Sequence, residues 1–176
     1  TQRVDVPWQQ HAVDRLRQLF SGAFGYAVPQ TLEFGLRPSA TRQRLCVLLH
    51  GTTWSSKLWP ESMWVALGRE ATAAGLRVAL PWGDDGERRR AQRLAAAVDG
   101  EVWEQARLGV IAQRLASAAV VIGVDSGLSH LSAAVGVPTV VLYGSTDQRL
   151  TGARGAQTVN LQADFACAPC LSRTCR

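Results

Sequence analysis

The sequence predicts an α/β fold in which helices cover both faces of a parallel sheet. Three observations lead there. Residues 120–144, VVIGVDSGLSHLSAAVGVPTVVLYG, read as a strand, a sharp polar turn, a short helix of small and apolar residues and a second strand. From residue 45 onward, strand-length apolar runs alternate with helix-length segments in the order β-α-β-α-β-α-β-α-β, the pattern of a parallel sheet. Hydrophobic residues make up 47% of the chain and charged residues 19%, which suits a packed core and excludes a disordered chain. No internal repeat or low-complexity tract interrupts the pattern.

Residues 8–24 place Val13, Leu16, Leu19 and Phe20 at helical spacing. Residues 25–44 carry Pro29 and Pro38 and little periodicity, and read as a connector. A buried strand is expected at 45–50, then a polar loop at 51–60 and a helix at 61–74 ended by Gly75. Residues 77–80 read as a strand, 81–86 as a turn and 87–98 as a helix. A short strand at 101–103 and a helix at 108–116 lead into the 120–144 unit. There, 120–124 is a strand, 125–127 the turn and 128–135 the helix. Gly136-Val137-Pro138 ends that helix, and 139–143 is the last strand.

The 176 residues suit one domain. No apolar run approaches the roughly 20 residues of a membrane span, and no signal peptide is visible. The net charge of +5 comes from arginine, because Lys57 is the only lysine. Apart from Arg88-Arg89-Arg90 the basic residues are scattered, which argues against nucleic acid as a partner. The excess still favours anionic substrates or an anionic membrane surface. The chain starts at Thr and stops just after a cysteine-rich run, so it is expected to be a piece of a larger protein.

A strand-turn-helix of the 120–144 kind aims free backbone N–H groups and the positive end of a helix at the carboxyl edge of a sheet. Anionic ligands bind there in open α/β folds. Ser126 and Gly127 supply such N–H groups, with Asp125 and His130 as polar handles. Asp125 reads equally as a helix cap, and His130 equally as a structural histidine. After the first strand, Thr52, Thr53 and Lys57 offer hydroxyls and a point charge to a phosphate. The plainer alternative is a solvated loop whose hydroxyls serve local backbone groups. Glu87, after the second strand, can accept from a ribose diol or only favour its helix dipole.

Cys167-Ala168-Pro169-Cys170 and Cys175 provide three cysteines, but zinc wants a fourth ligand. Free thiols are therefore expected, with no metal and no cofactor. Cys46 lies in the first strand as a buried apolar residue. There is no G-x-S-x-G, Walker A, H-E-x-x-H or GxGxxG motif.

Taken together, HGTTWSSKLWP (50–60), LPWGDDGERRRAQRL (80–94), VDSGLSHLSAAVGVPTVVLYGSTD (124–147) and CAPCLSRTC (167–175) resemble the ADP-heptose:lipopolysaccharide heptosyltransferases, closest to the heptosyltransferase I branch. The start, VPWQQHAVDRLRQLF, resembles that family's interdomain segment. The resemblance implies the C-terminal, Rossmann-like half of a GT-B glycosyltransferase, with residues 1–25 as interdomain helix and linker and 26–176 as the ADP-sugar-binding domain. It implies that Thr52, Thr53 and Lys57 contact the diphosphate and sugar of ADP-L-glycero-D-manno-heptose. Glu87 then holds the adenosine ribose, Ala106 lies along the adenine, and Asp125 holds heptose hydroxyls. Ser126 and Gly127 meet phosphate beside His130. The family's catalytic aspartate lies in the other half. This chain is thus expected to hold no catalytic base, with Lys57 stabilising the departing ADP.

The implied parent moves heptose to a Kdo residue of the lipopolysaccharide inner core, carried on lipid A, at the cytoplasmic face of the inner membrane, touching the membrane peripherally. The alternatives are heptosyltransferase II, an epimerase of the same architecture recognising uridine, or a binding module inactive on its own.

Overall fold

The structure is a computed structural model that describes residues 3–36, 38 and 40–175. The outer bounds of the two expected segments, Thr1 and Arg176, lie outside the described residues, as do Arg37 and Ser39 of the connector.

Six strands form one sheet: β1 (Leu45–Leu49), β2 (Arg77–Leu80), β3 (Glu101–Val102), β4 (Val120–Val124), β5 (Thr139–Tyr143) and β6 (Thr158–Gln162). Their order is β3-β2-β1-β4-β5-β6, and every neighbouring pair is parallel. The helices are α1 (Ala12–Phe24), α2 (Glu61–Ala73), α3 (Asp85–Val98), α4 (Leu108–Ala116), α5 (Gly127–Ala134) and α6 (Gln148–Thr151). This is a Rossmann-like α/β sheet.

β1 is apolar throughout because both its faces are covered. Leu45, Val47 and Leu49 pack with Ile111 and Leu115 of α4. Cys46 and Leu48 point the other way, onto Trp64 of α2 and Leu94 of α3. Truncating Leu48 to Ala would cost about 2–5 kcal/mol through lost transfer energy and the cavity left behind. β1 has β2 on one side and β4 on the other, so the chain leaves it in opposite directions. That divergence opens a crevice at the carboxyl ends of β1 and β4.

Several boundaries differ from the sequence reading. α1 begins at Ala12 rather than residue 8, because His11 caps it by accepting from the Val13 N–H at 3.2 Å. The other nitrogen of that ring meets the Gly152 carbonyl at 2.8 Å, and Arg154 grips Asp14 at 2.6 Å. α3 begins at Asp85 rather than 87, because Asp84 accepts from the Glu87 N–H at 2.8 Å. α5 starts one residue early, at Gly127, and β1 and β3 each stop one residue short.

β6, α6 and a 3-10 turn at Ser55–Lys57 were not expected. β6 turns Val159 and Leu161 to solvent. Its polar residues instead serve main-chain carbonyls, Asn160 at Ala153 and Gln162 at Tyr143 and Gly144. Such an inverted edge strand lacks the apolar signal of a half-buried one. Among the described residues no helix is long and apolar enough to cross a membrane.

Candidate functional site

A cleft of about 680 Å³ lies over the carboxyl ends of β1 and β4. All nine residues singled out from the sequence line it: Thr52, Thr53, Lys57, Glu87, Ala106, Asp125, Ser126, Gly127 and His130.

Asp125 is the first residue beyond β4 and is only 6% exposed. Its backbone N–H donates to Leu142, which fixes it to the β5 end of the sheet. Its carboxylate receives three groups: Lys57 Nζ at 2.8 Å and Thr146 Oγ1 at 2.7 Å on Oδ2, and His130 Nε2 at 3.4 Å on Oδ1. Burial pushes its pKa upward. The hydrogen bonds from His130, Lys57 and Thr146, with the Lys57 charge, outweigh that and hold it down at about 2. It is therefore a carboxylate at neutral pH.

Asp125 is not the cap of α5. Ser126 occupies that position in an extended conformation and makes no side-chain cap bond. Its hydroxyl instead meets Ser129 Oγ at 3.2 Å, and Ser129 donates to the Val124 carbonyl. Among the described residues the capping side chain leaves the first-turn amides of α5 unspent, at the positive end of the helix. A Cβ added at Gly127 would meet no atom within 4 Å. The space in front of these amides belongs to the cleft rather than to packed protein.

Lys57 ends the 3-10 turn, with a side chain 15% exposed. Its ammonium also lies 4.4 Å from the centroid of the Trp54 ring. Thr52 Oγ1 donates to the Asp125 carbonyl at 3.2 Å, tying the β1 loop to the β4 turn, while Thr53 is exposed at the rim.

Glu87 stands at the far end of the cleft. Its Oε2 accepts from the Gly83 N–H at 2.7 Å, so it supports the helix start as well as facing the cleft. It lies so close to Gly51 that a Cβ there would overlap its carboxylate. Gln105 donates to the Gly83 carbonyl at 3.3 Å and brings the loop of Ala106 alongside. Leu49, Ile111 and Leu131 add an apolar wall. The cleft thus runs from a cationic, amide-rich end at Lys57 and α5 to an acidic end at Glu87.

Sequence reasoning missed Thr146, Ser56, Ser145 and His50. The first three sit in polar loops at carboxyl ends of strands, a position that could have flagged them. His50 is wholly buried, and among the described residues neither ring nitrogen makes a well-formed hydrogen bond, the Pro81 backbone being a polar neighbour. Burial is the main cause of its pKa falling to about 4. The Arg90 charge adds to the fall, while Pro81 and Glu61 oppose it.

Among the described residues no three His, Cys, Asp or Glu side chains stand close enough to hold a metal ion. Cys167, Cys170 and Cys175 are free and exposed. Cys46 is buried, which pushes its thiol up to about 11.

The sequence matches the family described as Glycosyltransferase family 9 (heptosyltransferase) over residues 1–176. It is 44% identical to lipopolysaccharide heptosyltransferase 1 of Pseudomonas aeruginosa over 97% of this chain and 50% of that protein. The corresponding Escherichia coli K12 protein is 41% identical, over 84% of this chain and 49% of its own. The chain therefore spans about half the length of the curated relatives it matches. Among solved structures, E. coli heptosyltransferase WaaC with ADP superposes with a TM-score of 0.84 at 37% identity, covering 93% of this chain and 54% of that one. WaaC with ADP-2-deoxy-2-fluoro heptose gives 0.79 at 36%, over 93% and 53%.

Proposed function

The chain belongs to glycosyltransferase family 9, the heptosyltransferases, and from that premise we propose that it is the donor-binding half of a lipopolysaccharide heptosyltransferase I. Its ligand is ADP-L-glycero-D-manno-heptose. The parent enzyme transfers the heptose, with inversion, to a Kdo residue of the lipopolysaccharide inner core, carried on lipid A. It does so at the cytoplasmic face of the inner membrane, in peripheral contact with it.

The observation that carries this reading is the meeting of Lys57 with the uncapped amino end of α5 above the ionised Asp125. A diphosphate suits that end, since the ammonium and the amides both complement its charge. As the sugar departs, charge grows on the ADP oxygens. Lys57 and the helix end are already in place to stabilise it. Asp125 accepts from sugar hydroxyls, and Glu87 from the ribose at the opposite end. Relatives solved with ADP and with an ADP-heptose analogue support the same ligand class.

Every candidate contact singled out in the cleft is assigned to the donor, and none of them is left to take a proton from an acceptor hydroxyl. The chain alone is therefore expected to bind donor and transfer nothing. The test is calorimetry with ADP, UDP and ADP-heptose, followed by incubation with a Kdo-bearing lipid A acceptor. Binding of ADP and ADP-heptose but not UDP, with no ADP release, is the expected result. Preference for UDP would favour an epimerase-like site. Heptose transfer by residues 1–176 would place a base in this chain, with Asp125 and His130 first to examine.

A further inference from the structure

The cysteine-bearing segment after β6 lies outside the cleft, yet it is fastened to the one turn that carries Lys57. The Ser56 backbone N–H donates to the Arg173 carbonyl at 3.2 Å, and Ser55 Oγ reaches the same carbonyl at 3.2 Å. Ser56 Oγ lies 2.6 Å from the Ser172 carbonyl and 3.0 Å from Ser145 Oγ. A hydroxyl has one proton, so Ser56 donates it chiefly to the closer Ser172 carbonyl and only secondarily to Ser145. The Leu171 N–H donates to the Ser145 carbonyl at 2.7 Å, closing the connection on the β5 side. The Arg173 guanidinium lies 5.4 Å from the centroid of the Trp54 ring that also meets Lys57.

A 3-10 turn of three residues has little stability of its own, and Ser55–Lys57 has no side-chain cap. Its position must come from what holds it. On the inner side that is the contact of Lys57 with Asp125, the contact a phosphate would have to share. On the outer side it is the segment 171–173. Ser145 and Thr146 are adjacent, so one loop ties both sides: Ser145 to Ser56, and Thr146 to Asp125.

We propose that residues 164–175 form a latch that fixes the Lys57 turn, with Ser56 as the positioning residue through which it acts. The consequence for ligand binding rests on the proposed reading of Lys57 as a phosphate contact; the latch itself does not. With the latch intact, Lys57 stays poised at the α5 end of the cleft. Without it, the turn moves as a loop and the ammonium samples positions from which it no longer reaches a diphosphate.

The single lysine allows a direct test. Labelling with [15N]lysine gives one backbone amide signal, that of Lys57, whose N–H donates to Trp54 at 3.0 Å within the turn. Ser56→Ala should speed hydrogen exchange of that amide at least tenfold, and Ser56→Thr should restore it. ADP affinity should fall threefold to tenfold in Ser56→Ala while adenosine affinity holds. In a Lys57→Ala background the same change should add no further loss.

Unchanged exchange in Ser56→Ala would overturn the latch. An equal ADP loss with and without Lys57 would overturn its action through that residue. If the native chain binds no ADP, the donor reading fails, and the exchange measurement still decides the latch. If Ser56→Ala does not fold, Arg173→Ala, at an exposed residue, removes only the ring contact and should raise exchange in the same direction.

Discussion

Lys57 Nζ lies 2.8 Å from Asp125 Oδ2, and both side chains are largely withdrawn from solvent. The only lysine of the chain is thus already committed to a carboxylate. On the proposed reading, a phosphate entering the cleft would share the ammonium with Asp125 rather than meet a free cation. The three N–H donors of an ammonium allow this. The ion pair aims the lysine, and the proposed ligand would take the donors that Asp125 leaves.

Lys57→Ala should therefore weaken ADP binding far more than adenosine binding. Loss of a charge-assisted contact corresponds to roughly 1.5–3 kcal/mol. Calorimetry giving equal losses for the two ligands would remove Lys57 from the site.

Glu87→Ala should lower ADP affinity and leave inorganic pyrophosphate binding nearly unchanged, as a ribose contact requires. Gly51→Ala should copy it, because the added Cβ would displace the Glu87 carboxylate. A matching fall in pyrophosphate binding would mean that Glu87 acts through the start of α3 instead.

The Asp125 carboxyl is held at about 2, below its ordinary 3.8. Its contribution to stability is complete above pH 3.8 and is lost as pH falls through 2. The amount is about 2 kcal/mol. Denaturation of native chain and Asp125→Asn should show a constant stability gap from pH 7 to 4 that closes below it. A gap independent of pH would contradict the ion-paired state.

His50 acts in a higher window. Its folded pKa of about 4 lies below the ordinary 6.5, so the unfolded chain takes up the proton first. No penalty exists above pH 6.5, and it grows as pH falls toward 4, reaching about 3 kcal/mol. His50→Leu should gain on the native chain by that amount between pH 7 and 4. Parallel pH profiles for the two would mean that His50 takes up its proton as readily folded as unfolded, and that burial does not hold it neutral.

An aromatic disulfide reagent should titrate three thiols quickly, Cys167, Cys170 and Cys175. Cys46 should respond only in denaturant, because it is buried and its thiolate is disfavoured. Four fast thiols would mean that β1 is not covered as described.

Most of the sheet was legible because β1, β2, β4 and β5 are dense in Val, Leu and Ile and each is followed by a polar turn. β6 was not, because its burial is inverted and its polar residues are satisfied by carbonyls brought from far along the chain. The cleft residues were found through their place at strand ends and through family resemblance. Which partner each would choose was not readable. Nothing local says that Asp125 turns to Lys57 and leaves the cap of α5 to Ser126. Likewise nothing near Ser56 announces the carbonyl of Ser172. His50 escaped notice because a histidine ending an apolar strand carries no local mark of lacking partners.

The position of the cleft between β1 and β4 bears on how the chain folds. Thr52 and Asp125, whose contact closes its floor, are 73 positions apart in sequence. β1 can pair with β2, and β2 with β3, through short crossovers, but the pairing of β1 with β4 waits on a much longer loop and is entropically late. A chain folded only through β3 has Glu87 and Lys57 but neither Asp125 nor the amino end of α5 against them. On the proposed donor reading, nucleotide capture would then be a property of the completed sheet alone. By mass action, a ligand that binds only that state draws the whole folding equilibrium toward it.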